Sequence, residues 1–329
     1  MGPVDITDVQ NVTTLYGADT LEVQSTDDCR VYRTTHSNGS GTVEKFDVLP
    51  GIQLYNQRFQ LTSLDYDQST PRYSKDIITI NHCRRGRFEA EFADGEFLYL
   101  GEGDLAMNLP ENAPVRHSFP LTYFQGITII ISVSNAMTGM CDSGSILGPV
   151  PIDLSLLRER LLKGNEFIIF RSNPESERIL EDMYRERQDS RIFYLRLMVL
   201  ELLLFLLTSG ETVGERPPYF HRNHVMTIKN MTQYLLEHLD RNFTLEELSG
   251  QFEIPLSTMK KCFKAVYGKP IHAYVRDYRM QTAAKLLRET DLSIAEIAEQ
   301  MSYSNQSKFT GAFKTRMGCT PLAYRNLKT

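Results

Sequence analysis

One device occurs twice in the last third of this chain, and it limits the fold more than any other feature. Thr244-Leu245-Glu246-Glu247 is a capping box, in which a hydroxyl and a carboxylate three residues apart satisfy the free N–H groups at a helix start. Ser293 and Glu296 repeat it 49 residues later. Leu245, Leu248 and Phe252 reappear at the same separation as Ile294, Ile297 and Met301. Met259, Phe263, Lys264 and Gly268 reappear at a separation of 50 as Phe309, Phe313, Lys314 and Gly318. Each copy predicts a helix, a tight turn and a second helix that ends at glycine, the residue suited to a left-handed C-cap. Ser304 is the expected N-cap of the later second helix, and Pro255 stands at the start of the earlier one. Between the copies, Met280, Ala283, Ala284 and Leu287 fall on one stripe, opposite Arg279, Gln281, Thr282, Lys285 and Arg288. That spacing predicts an amphipathic linking helix.

A helix, a turn and a helix with a polar outer face is the arrangement that seats one helix in a DNA major groove. The exposed positions expected to face DNA are Ser257, Thr258, Lys260, Lys261 and Lys264 in the first unit. In the second they are Asn305, Gln306, Ser307, Lys308, Thr310 and Lys314. Lysine donates to guanine O6 and N7, glutamine pairs with both edges of adenine, and flanking lysines neutralise phosphate. A single linking helix would hold the two reading helices in successive major-groove segments, about 34 Å apart.

The residues from Arg279 to Arg325 resemble the signature of the AraC/XylS family of bacterial transcription regulators. The likeness rests on Arg279, Ala283, Leu286-Leu287, Ser293-Ile294, Glu296-Ile297-Ala298, Tyr303, Phe309, Phe313-Lys314, Gly318-x-Thr320-Pro321 and Tyr324-Arg325. The resemblance implies that Ser257, Lys260, Lys261, Gln306, Ser307 and Thr310 sit where family members contact bases. Two positions depart from it. Gly311 lies where relatives often carry a basic side chain, and Pro255 replaces a hydroxyl cap.

Charge divides the chain in the same place. The whole carries a net charge of −5, yet from His221 onward there are 16 Lys/Arg against 10 Asp/Glu, a net of +6. The preceding residues hold 20 basic and 31 acidic groups, a net of −11. A basic module for nucleic acid is therefore joined to an acidic one with another task.

That acidic module reads as strands first. From about Leu21 to Val133, short β-branched and aromatic runs alternate with turn formers such as Ala93-Asp94-Gly95-Glu96 and Gly101-Glu102-Gly103-Asp104. The stretch from about Ile77 to Val133 resembles the cupin-like sensor domain found ahead of AraC-type DNA-binding domains. By alternation Ile78, Ile80, His82, Phe88, Phe92 and Tyr99 are the expected inward residues of an effector pocket. A break around Asn135 to Gly148 is followed by three predicted helices, Ile152–Leu162, Pro174–Arg187 and Arg191–Thr208. The last is apolar almost all round. Core packing and a dimer seam, the use relatives make of a helix after the β-domain, both fit it.

The expected fold class is α+β: an N-terminal cupin-like β-barrel or sandwich followed by helices, then an all-α domain with two helix-turn-helix units. The domains are a β-rich sensor over 1–150, a helical, dimerising segment over 151–208, a linker over 209–220 and a DNA-binding domain over 221–329. The linker reading rests on SGETVGERPPYF, rich in Gly, Ser, Glu and Pro. The five scattered cysteines lack a CxxC pair, and the first ten residues lack a basic segment ahead of an apolar one, so a cytoplasmic location is expected.

An enzyme is not expected. No P-loop, dinucleotide fingerprint or HExxH occurs. The alternative is a cupin-type metalloenzyme with a DNA-binding appendage. Against it, His82 is followed by Cys83 and Arg84 where metal-binding cupins place a second histidine two residues on, and the next histidine is His117. No cofactor and no metal are expected. The expected partners are double-stranded promoter or operator DNA, a small-molecule effector, a second copy of the chain and RNA polymerase, with no membrane. The family likeness favours an activator.

Overall fold

The computed structural model describes residues 12–17, 19–65, 76–109, 114–142, 152–162, 167–185, 190–208, 214–215 and 218–326. The chain divides into two compact units, Met1–Tyr219 and Phe220–Thr329. Much of the expected linker, 209–213 and 216–217, lies outside the described residues. Among those described, no helix is long and apolar enough to cross a membrane.

Among the described residues the first unit begins with a short helix, α1 (Val12–Tyr16). Strands β1 (Thr20–Ser25), β2 (Arg30–His36), β3 (Gly39–Leu49), β4 (Ile52–Leu61), β5 (Ser63–Asp65) and β6 (Ile77–Gly86) follow. Next come β7 (Phe88–Glu91), β8 (Glu96–Leu100), β9 (Leu105–Asn108), β10 (Arg116–Ser118) and β11 (Phe124–Ser132). Helices α2 (Val133–Asp142) and α3 (Leu154–Leu162), strand β12 (Phe167–Phe170), helices α4 (Pro174–Met183) and α5 (Arg191–Thr208), and strand β13 (Gly214–Glu215) complete it. The strands form two antiparallel sheets. The larger runs β1-β2-β3-β4-β11-β6-β9-β12-β13, and the smaller contains β8-β7-β10-β5 in that order.

Two apolar cores lie on opposite faces of the larger sheet. Ile78 and Ile80 of β6, Ile127, Ile129 and Ile131 of β11, and Leu105 and Met107 of β9 pack against Ile179, Met183, Leu195, Val199 and Leu202 of the helices. The alternate residues, Tyr55, Phe59, Ile77, Ala106 and Ile130, meet Phe88, Ala90, Leu98 and Leu100 of the smaller sheet. β6 is thus covered on both faces. The turn at Asp94-Gly95 closes β7 onto β8, with Asp94 accepting from the Glu96 N–H at 3.0 Å and Gly95 at φ 81°.

Two elements differ from the sequence reading. The expected break after Asn135 begins as α2, whose first turn is capped from far away. The Asp76 carboxylate accepts from Ser134 N at 3.1 Å and from the Ser134 hydroxyl at 2.6 Å. Residues 143–150 of that break lie outside the described residues. The segment read as helical from Pro151 is interrupted by β12, which pairs Phe170 with Leu105 and Phe167 with Asn108 on β9. Four consecutive apolar residues are too few for a helix, and here Ile168 and Phe170 pack in one core and Ile169 in the other.

The second unit is helical: α6 (Arg222–Glu237), α7 (Leu245–Gln251), α8 (Leu256–Tyr267), α9 (Ile271–Glu289), α10 (Ile294–Gln300), α11 (Gln306–Met317) and α12 (Pro321–Asn326). α8 packs on α6 and α9, while α10, α11 and α12 pack on the far half of α9. Met280, Ala283, Ala284 and Leu287, the apolar stripe of the linking helix, meet Ile297, Ala298, Met301, Phe309 and Phe313 in one core.

Candidate functional site

Both capping boxes form. The Thr244 hydroxyl accepts from Glu247 N at 3.1 Å while the Glu247 carboxylate accepts from Thr244 N at 2.7 Å. Ser293 and Glu296 do the same at 3.2 and 2.7 Å. These bonds favour the ionised form and hold both carboxyls below the ordinary glutamate range. They start α7 and α10, the supporting helices of the two units.

Each turn then bends through a residue with left-handed backbone, Glu253 at φ 50° and Ser302 at φ 63°, again 49 residues apart. Backbone bonds fix both bends, Ile254 N to Ser249 O at 3.1 Å and Tyr303 N to Ala298 O at 2.9 Å. The second helices α8 and α11 end alike, at Gly268 (φ 77°) and Gly318 (φ 80°), whose N–H groups bond Lys264 O and Lys314 O. The unit therefore contains two helix-turn-helix motifs built the same way on either half of α9.

On α8, Ser257, Lys260, Lys261 and Lys264 are exposed and Thr258 is partly so, while Met259, Cys262, Phe263 and Val266 are buried. On α11, Gln306, Ser307, Lys308 and Lys314 are exposed and Thr310 is partly so, over buried Phe309 and Phe313. Nothing lies within 4 Å of a Cβ built on Gly311, so that position is open. The N-cap of α11 is Asn305 and not Ser304, with Asn305 Oδ1 accepting from Ser307 N at 2.7 Å. The cap occupies the amide oxygen and leaves the NH2 group as a donor. Pro255 caps α8 with no side-chain hydrogen bond.

A family model described as a helix-turn-helix domain matches residues 248–327. The chain is 26% identical over 246 residues to VirF, a virulence regulon transcriptional activator of Yersinia enterocolitica, covering 71% of this chain and 81% of that protein. It is 33% identical over 101 residues to ExsA, an HTH-type transcriptional regulator of Pseudomonas aeruginosa. That match covers 31% of this chain and spans 36% of the length of ExsA. The chain belongs to the AraC/XylS family. Its members are DNA-binding transcription regulators, not enzymes. Among solved structures, the DNA-binding domain of AdpA in complex with a target DNA aligns over 30% of this chain and 90% of that domain, at 25% identity and a TM-score of 0.30.

In this AraC/XylS regulator the six expected effector residues do not line one space. Ile78 and Ile80 face the helices, in the core that also holds Ile179 and Met183. His82 lies on the same face, its Nδ1 2.8 Å from the Tyr184 hydroxyl at the end of α4. Burial lowers the His82 pKa from 6.5 to about 4, against the opposing pull of Glu181. Phe88 and Phe92 face the core between the sheets. Tyr99 points away from that core and donates to Glu89 at 2.7 Å. The reason is parity: the even residues of β6 turn to the helices and the odd ones to the second sheet.

The inner face instead carries a hydrogen-bonded polar row that the sequence reading missed. Gln57 donates to the Tyr16 hydroxyl and to Thr128 Oγ1, both at 2.8 Å, and Thr128 donates to Asn81 Oδ1 at 2.8 Å. Asn81 and Thr79 both donate to Asn108 Oδ1, at 3.2 and 2.7 Å. The signal was available, since Thr79 and Asn81 are the polar alternates of Ile78, Ile80 and His82.

Proposed function

We propose that the chain is an effector-responsive, sequence-specific transcription activator that reads operator DNA with α8 and α11 together. The observation that carries this is the pair of helices that follow matching capping boxes and turns and end in the same left-handed glycine cap, each with an exposed polar face, on the two halves of α9. Ser257, Thr258, Lys260 and Lys261 of α8 and Gln306, Ser307 and Thr310 of α11 are the base-contacting set. Lys264, Lys308, Lys314 and the Asn305 amide hold phosphates. The first unit is the sensor, a cupin-like barrel or sandwich, a reading supported by its two antiparallel sheets and their shared core. Its effector contacts belong on the inner face, with the polar row from Tyr16 to Asn108 beside Phe88 and Phe92. The naming of VirF as an activator supports that sign of control; RNA polymerase in the cytoplasm is the partner this reading calls for.

Footprinting of the full chain on the DNA flanking its own gene tests this reading. The expected result is a discrete tract with two protected major-groove segments about 34 Å apart, its occupancy shifted by an effector. Even protection of any duplex would overturn it.

The active form is a homodimer joined through α5. Phe193, Leu197 and Leu204 are exposed at 59, 49 and 37%, and with partly buried Leu200 they follow i, i+4, i+7, i+11 along one side of that helix. An exposed apolar stripe of this kind marks an interaction surface. Leu197→Glu with Leu204→Glu is expected to convert the dimer to monomer in sedimentation analysis with the fold intact. A dimer that survives both substitutions would place the seam elsewhere.

A further inference from the structure

The two helix-turn-helix units are tied to α9 by polar clamps on opposite sides of it. On one side, Asp277 Oδ2 accepts from Lys269 Nζ at 2.5 Å, and Oδ1 lies 3.6 Å from Arg316 Nε. Lys269 directly follows the glycine that ends α8, and Arg316 lies in the last turn of α11. One carboxylate thus faces cations from the ends of both reading helices. Its side chain is 19% exposed, whereas Lys269 and Arg316 are about half exposed, at 53 and 45%.

The other side is held by an arginine. Arg279 Nη1 donates to Asn242 Oδ1 at 2.9 Å and Nη2 to Arg241 O at 2.6 Å, fastening the α6–α7 loop to α9. The amide of Asn242 then reaches Ser302 O in the second motif's turn at 3.4 Å. Asp277 and Arg279 are two residues apart, about 200° around a helix, so the clamps grip opposite faces.

Apolar packing fixes how far each motif sits from α9 but leaves a range of crossing angles of about ±15–20°, within which directed, charge-assisted bonds select one. The register that DNA demands is rotational as well as axial. One added base pair moves a half-site by about 3.4 Å and turns it by about 34°. We infer that Asp277 and Asn242 are positioning residues that fix the rotation of α8 relative to α11, and so make this protein discriminate operators by half-site spacing. The inference rests on the reading that both helices enter DNA together.

The test uses the full chain and a duplex tract that it selects from a random library, together with versions having one base pair added or removed between the two protected segments. Wild type is expected to lose about tenfold or more on either altered duplex. Asp277→Asn combined with Asn242→Ala is expected to bind the selected duplex within a few-fold of wild type and to lose less than about threefold on the altered ones. Asp277→Glu is expected to restore the wild-type penalty, and Arg316→Ala, which breaks one leg of one clamp, to give an intermediate one. A double variant that loses affinity equally on all three duplexes, or keeps the full penalty, overturns the inference and leaves the two-helix reading standing. A wild type indifferent to spacing would overturn that reading and the clamps with it.

Discussion

Replacing Lys260 and Lys261 together with alanine is expected to lower affinity for the selected operator by roughly 30-fold to 20,000-fold at fixed salt, from about 1–3 kcal/mol per lost base contact. Both side chains are exposed on α8, one turn after its start, and neither supports the buried row of Met259, Phe263 and Val266. Alanine is the best helix former, so the fold is expected to survive. The loss should be much smaller on random duplex, because base contacts carry the discrimination and phosphate contacts the general attraction. Lys314→Ala is the contrasting case. It sits in the last turn of α11 and is expected to weaken all duplexes alike, lowering the slope of log affinity against log salt by about one. Fluorescence anisotropy across a salt series separates the two patterns. Operator affinity unchanged in the double variant, with an unaltered circular dichroism spectrum, would remove α8 from the base-reading role.

The helical unit was legible because its information is local. A capping box occupies four consecutive residues, an apolar stripe occupies a few turns, and Gly268 and Gly318 announce the ends of α8 and α11. What was not legible depends on contacts between distant residues or on unusual backbone. Glu253 and Ser302 carry the left-handed bends although neither is glycine or asparagine, so no composition rule marks them. Ser304 and Asn305 are both good cap residues, and only the geometry of the turn selects the second. Asp277 reads as one surface carboxylate on a helix until α11 brings Arg316 alongside.

In the first unit the strands were legible and their faces were not. Period-two alternation in Ile78-Thr79-Ile80-Asn81-His82 separates apolar from polar positions, which ordinarily means core and solvent. Here Thr79 is buried and Asn81 partly so, because the row from Gln57 to Asn108 satisfies their hydrogen bonds inside the unit. The apolar face is covered by α4 and α5 and serves packing, while the other face carries the hydrogen-bonded polar row. α2 was missed for a similar reason. Its cap is Asp76, 58 residues away, and a local window contains nothing in its place.

His82 is the place where this buried architecture becomes measurable. In the unfolded chain it takes up a proton below its ordinary value of 6.5, whereas in the folded protein burial against Tyr184 lowers that value to about 4. The folded state therefore binds fewer protons between these values. The stability this difference represents is fully present above pH 6.5, falls as the pH drops, and is fully lost below about 4. The total is on the order of 3 kcal/mol, at 1.36 kcal/mol for each unit of displacement.

Two charged groups face the pair from α4 and β6. Glu181 favours the imidazolium and Arg84 opposes it, and they are bonded to each other at 2.8 Å while Arg84 stacks on the Tyr184 ring at 4.5 Å. They act in opposite directions, and desolvation is the largest of the three influences. His82→Gln keeps a hydrogen-bonding group beside Tyr184 and removes the titration. Urea unfolding of both proteins, followed by near-ultraviolet circular dichroism, is expected to show wild type losing stability relative to the variant as the pH falls from 6.5 towards 4. Carboxylate protonation affects the two proteins alike and cancels in the difference. A constant offset between them across that range would mean that His82 takes its proton in the folded state as easily as in the unfolded one, and the link between β6 and α4 would then not depend on a neutral ring.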